Sequence, residues 1–150
     1  MAHPLIQPGD TVTDAQVLRI YDGLRACRLP EPEWTHGAHL CAGTAFLHDL
    51  GLHGAEAAMP GVIRAYNESI GSQNTDNAGY HHTITLFYLR ALGQFLEGRF
   101  GENIGALASA VLNSPTADRA FPLKFYSKDV LFSVAARRDW VAPDINASGL

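Results

Sequence analysis

Several things are scarce in this chain, and each scarcity excludes something. Only two cysteines, Cys27 and Cys41, occur in 150 residues. Their spacing makes no disulfide framework, so both are expected as free thiols. Charge is thin and of no dominant sign, with 17% charged residues and a net charge of −4. The basic residues are scattered, only Arg137 and Arg138 being adjacent, so the footprint needed for a nucleic-acid backbone is missing. No apolar run approaches the roughly 20 residues of a membrane span. The start, Met1-Ala2-His3-Pro4, has neither the basic residues nor the apolar stretch of a secretory signal. A soluble, cytoplasmic protein is expected. Sustained period-two alternation is also absent, which leaves strands without support.

What remains is helical. With 47% hydrophobic residues in 16.2 kDa, the chain is long enough for one real core and too short for two. Residues 1–12 read as an irregular lead-in. Thr13 and Gln16 form a capping-box pattern, and Val17, Ile20, Tyr21 and Leu24 follow at helical spacing, predicting a helix from Asp14 to about Cys27. Pro30 and Pro32 stop any continuation. Thr35 is then the cap of a second helix ending at Gly51. Met59, Ile63, Tyr66 and Ile70 mark a third, in which Pro60 predicts a break. The turn-forming stretch from Gly71 to Gly79 delivers Tyr80 and His81 to a helix running to Glu97. A further helix spans about Glu102 to Leu112. Ser127 caps a last one through Arg137, with 139–150 as an irregular tail. The expected class is all-α: five or six helices in one domain, bundle-like or orthogonal.

Function is sought in the histidines. At about 100° per residue, His36 and His39 fall in the arc of Leu40, Phe46 and Leu47, whereas His48 and Asp49 fall outside it. Treating the next helix alike sets His81 among Ile84, Tyr88, Leu89 and Leu92. Imidazoles facing a core need partners, and three that converge could share one metal with open coordination positions. The alternatives are a polar pocket without metal and three unrelated histidines, each satisfied by backbone. His82 lies at the edge of the apolar arc, too divergent from His81 to bind the same ion. It is a candidate for proton transfer, together with Asn67, on the inward side of its helix, and Tyr80. Tyr88 and Arg137 are candidates for hydrogen bonding toward a ligand or the core. Cys41 points about 140° away from His36, and His3, His48 and His53 are expected at the solvated surface.

Certain segments carry a likeness: Trp34-Thr35-His36-Gly37-Ala38-His39-Leu40, Tyr66-Asn67, Gly79-Tyr80-His81-His82-Thr83-Ile84-Thr85, Tyr126-Ser127, Ala136-Arg137 and Pro143-Asp144. Together they resemble a family of small, largely uncharacterised bacterial helical proteins with His-x-x-His-Leu and Gly-Tyr-His-Glu-Thr motifs. His82 stands where that pattern has glutamate. The resemblance implies a helical fold and no particular activity.

The functional expectation is a site in which His36, His39 and His81 hold a divalent transition metal, with zinc, iron, nickel and copper all suited to imidazole. His82, Asn67 and Tyr80 would assist hydrolysis or hydration of a small molecule. The alternatives are a metal-dependent redox enzyme and a non-catalytic module that binds a small metabolite.

Overall fold

A computed structural model describes residues 3–147. The expected irregularity at residues 1, 2 and 148–150 lies outside the described residues. Six α-helices and three short 3-10 turns occur, with no strand among the described residues. The helices are α1 (Asp14–Arg25), α2 (His36–Ser69), α3 (His82–Phe95), α4 (Ile104–Leu112), α5 (Lys128–Leu131) and α6 (Val134–Arg138).

Helix α1 begins as its sequence dictates. The Thr13 side chain accepts from Gln16 N–H while the Gln16 side chain accepts from Thr13 N–H, a reciprocal cap that satisfies two orphan donors. Val17, Ile20, Tyr21 and Leu24 are all buried. Thr35 caps α2 through Ala38 N–H.

Helix α2 departs from expectation. Its axis breaks at Gly51, at φ 73°, ψ 174°, and the chain then remains helical straight through Pro60. Gly51 takes a conformation closed to side-chain-bearing residues. Pro60 removes one backbone bond, but burial of Ala55, Met59, Ile63 and Tyr66 holds the helix on both sides of it. The result is two helical arms in one element, and α1, α3 and α4 all rest against it. Gly37, in the first turn, lets the lead-in cross close by, since a Cβ there would run into the Ile6 carbonyl.

The last predicted helix is split. Ser127 caps α5 through Val130 N–H, and Ser133 caps a separate α6 through Ala136 N–H. The second cap interrupts what looked like one periodic run. The tail from Trp140 to Ala147 carries no helix or strand, and hydrogen bonds tie it down: Thr83 Oγ1 donates to the Asp139 carbonyl at 2.7 Å and accepts from Val141 N–H at 3.0 Å. Among the described residues no helix is long and apolar enough to cross a membrane.

Candidate functional site

A cleft of about 280 Å³ opens between the two arms of α2 and the flank of α3. The first turn of α2 supplies His36 and His39, and α3 supplies Thr85 and Tyr88. Trp34 arrives from the 3-10 turn before α2, and Arg119 from the loop after α4. Apolar side chains line the rest, including Met59, Ile63 and Leu92. The cleft continues past Trp34, His39 and Thr85 into a second chamber of about 460 Å³ that reaches Asn67, Tyr80 and His81. A larger groove, about 720 Å³, lies elsewhere, around Gly51, Gly93 and Phe100. Its arginine, Arg90, is already paired with Glu56, and its other polar residues, His48, Gln94 and Glu97, are exposed, whereas the smaller cleft holds two imidazoles oriented by backbone carbonyls. The smaller cleft is therefore the candidate site.

Both cleft histidines are fixed by backbone carbonyls. His36 Nε2–H donates to Ala117 O at 3.0 Å, and His39 Nδ1–H donates to Thr35 O at 2.7 Å. A carbonyl can only accept, so these bonds set both tautomers and leave lone pairs on His36 Nδ1 and His39 Nε2. Neither nitrogen has another hydrogen-bond partner among the described residues. The His39 ring stacks on Trp34, centroids 3.6 Å apart, and the His36 ring meets Tyr88 edge-on at 5.9 Å. Burial lowers the pKa of His36 below its ordinary value despite the Ala117 bond. The pKa of His39 falls to about 4, from the mass of protein around it, with smaller repulsion from His36 and Arg119. The His39 residue is nonetheless solvent-accessible. The direction of its shift reflects the walls of an open cleft, and solvent screening limits its size. Both rings are neutral at physiological pH.

His81 does not join them. It precedes α3 as its N-cap, in extended conformation at φ −125°, ψ 109°. Its Nδ1 accepts from Ile84 N–H at 3.1 Å, and its Nε2–H donates to Leu131 O at 2.7 Å. Both ring nitrogens are thus committed, and no lone pair is left for a metal. The helical phase that grouped His81 with His36 and His39 does not apply to a residue outside the helix. Among the described residues no three His, Cys, Asp or Glu side chains are grouped so as to hold a metal ion.

The residues expected to assist chemistry are placed unevenly. Tyr80 and His82 share a hydrogen bond of 2.8 Å between the phenol oxygen and Nδ1. Burial raises the Tyr80 pKa to about 12 and lowers that of His82. His82 is not among the residues that line the cleft. Asn67 donates to Asn74 Oδ1, which also accepts from Tyr80 N–H. Asn67 thereby anchors the loop before α3. Arg137 donates to the Gly79 carbonyl at 3.0 Å. Cys41 is buried, its thiol pushed up to about 12 by desolvation, and His3, His48 and His53 are exposed, as expected.

Two cleft residues had no signal in periodicity. Trp34 sits in a proline-flanked turn, and Arg119 in a loop between two 3-10 turns. Arg119 is exposed and has no ion pair or hydrogen bond among the described residues. The cleft lining contains no serine, cysteine, aspartate or glutamate. Its two threonine hydroxyls already donate to backbone, Thr35 to Ile6 O and Thr85 to His81 O. The arrangement is therefore suited to accepting hydrogen bonds and to attracting an anion, and it offers no activated nucleophile. No family model, no curated protein and no solved structure matches this chain.

Proposed function

We propose that the chain is a small-molecule binding module whose ligand occupies the cleft between the arms of α2 and α3. The carrying observation is the pair of neutral imidazoles, each oriented by a backbone carbonyl and each left with one uncommitted lone pair. A ligand O–H or N–H would donate to them. Trp34, Met59 and Ile63 offer an apolar wall for a flat body, and Arg119 offers charge complementarity to an acidic group. The cleft lining carries no carboxylate and no activated nucleophile to act beside the imidazoles. That favours binding over acid–base catalysis.

Hydroxy-substituted aromatic carboxylates test the reading, with 4-hydroxybenzoate and unsubstituted benzoate as probes followed by Trp34 fluorescence. Saturable binding is expected, stronger for the hydroxylated compound and weakened in His39→Ala and Arg119→Gln. Absence of saturation across such a series, or indifference to both substitutions, would refute it.

A metal-dependent reading has one observation in its favour. Ligating histidines usually donate their second N–H to a carbonyl or carboxylate, as His36 and His39 do. On this reading a divalent transition metal takes His36 Nδ1 and His39 Nε2, and water or substrate completes the shell, without His81. Metal analysis of untagged protein separates the two readings: near one metal per chain, lost in His36→Ala and retained in His81→Asn, would favour this second one.

A further inference from the structure

Tyr80 also forms one wall of a separate cavity of about 320 Å³ that shares no other lining residue with the cleft or its continuation. Three guanidinium groups border it: Arg64 from the second arm of α2, and Arg137 and Arg138 from α6. Their partners differ. Arg138 is neutralised by Asp76 through two hydrogen bonds of 2.7 and 2.6 Å. Arg137 donates one nitrogen, Nη1, to the carbonyls of Gly79 and Tyr80, at 3.0 and 3.5 Å. These are uncharged acceptors, and its Nε and Nη2 have no partner among the described residues. Arg64 lies over the Tyr80 ring, 4.7 Å from its centroid, with no ion pair or side-chain hydrogen bond among the described residues.

Two of the three guanidinium groups on this cavity thus form no ion pair among the described residues. The one further acidic residue on the wall, Glu68, forms no ion pair. Like charges gathered on one wall repel, and the forked donors of arginine match the oxygens of phosphate. Arg137 is half-buried and held by the backbone, so its free donors are already positioned. Thr75 and Asn74 border the same space, the Asn74 side chain being committed to Asn67, Tyr80 N–H and the Arg64 carbonyl.

We infer that this cavity is a binding site for a phosphate group, free or carried by a small phosphorylated compound, held between Arg64 and Arg137 with Arg138 at its edge. The oxygens of one phosphate can accept from both free guanidinium groups at once, and a monocarboxylate has fewer oxygens with which to do so. The site is independent of the histidine cleft.

Isothermal titration of the full chain with inorganic phosphate and, separately, glycerol 3-phosphate tests this, with acetate as the monoanion arm. The expected result is saturable binding of phosphate at one per chain, with acetate weaker. Tighter binding of glycerol 3-phosphate would assign the ester as the ligand, and equal or weaker binding would assign the free ion. Arg64→Gln should weaken phosphate binding by about ten-fold, the size of a lost hydrogen bond to a charged group. The Arg64 side chain makes no hydrogen bond or ion pair within the fold, only its contact with the Tyr80 ring, and a wild-type circular dichroism spectrum and melting curve of this variant show that the loss is one of binding. Arg99→Gln changes net charge equally but removes an arginine already paired with Glu102, and it should bind as wild type. His39→Ala should also bind phosphate as wild type. No saturable binding, acetate as tight as phosphate, or Arg64→Gln equal to wild type would each overturn the inference.

Discussion

Replacing His81 with alanine should destabilise the protein far more than replacing either cleft histidine. Two losses combine. Ile84 N–H is one of the orphan donors of the first turn of α3 and loses its acceptor, an N-cap removal of about 0.5–2 kcal/mol. The Leu131 carbonyl, at the end of the one-turn helix α5, loses its donor at a buried position. That adds about 1–3 kcal/mol, and together roughly 1.5–5 kcal/mol. His81→Asn supplies a capping oxygen on a shorter side chain, so it should recover the cap and not the bond to Leu131, giving an intermediate loss. His36→Ala removes one bond at a half-buried position and should cost about 1 kcal/mol. The assay is urea denaturation followed by far-ultraviolet circular dichroism at neutral pH.

The same residue contributes a pH dependence of defined sign. Burial, with smaller repulsion from Arg137, keeps the pKa of folded His81 below the ordinary 6.5 despite the bond to the Leu131 carbonyl, which favours the protonated ring. As pH falls through 6.5 the unfolded chain takes up a proton that the folded chain does not, so stability declines until the folded pKa is reached. In His81→Ala this component is absent and the slope is shallower. An alanine variant as stable as wild type, or His36→Ala equally damaging, would show that His81 does not serve the fold in this way.

Three further outcomes are expected. Trp34 fluorescence should be quenched on acidification as the stacked His39 ring acquires a proton, with a midpoint below the ordinary 6.5 because the cleft walls disfavour the charged ring; the transition should vanish in His39→Ala, and a midpoint above the ordinary value would contradict the arrangement. Thr83→Val removes a buried hydroxyl that joins Asp139 O and Val141 N and should cost about 1–3 kcal/mol, with proteolysis of the C-terminal tail accelerated; equal protease resistance would contradict that anchoring. Gly37→Ala forces a Cβ against the Ile6 carbonyl and should destabilise by about 1–3 kcal/mol or more, whereas Gly61→Ala, in the α2 interior with nothing near its added Cβ, should stabilise by about 0.4–1 kcal/mol; thermal melting of the two variants compares them.

Local chemistry was legible wherever neighbouring residues decide the outcome. The Thr13–Gln16 box, the Thr35 cap and the turn at Gly51 depend on a side chain reaching its own first turn or on a backbone angle only glycine takes readily. The all-helical class followed from a spacing that buries one face of each helix. The pairing of His36 with His39 was legible for the same reason, because residues three apart on a regular helix share a face.

Tertiary structure decided what spacing cannot express. Pro60 stays helical because neighbouring side chains in the same arm are buried, a gain that no local rule contains. His81 lies one residue outside α3, where its ring bonds to Leu131, 50 positions away. A phase computed along a helix fails at the first residue whose backbone is not helical. Trp34, Arg119 and the arginines around Tyr80 come from segments distant in sequence, and the packing of α2 against α1, α3 and α4, with α6 against α3, makes them neighbours.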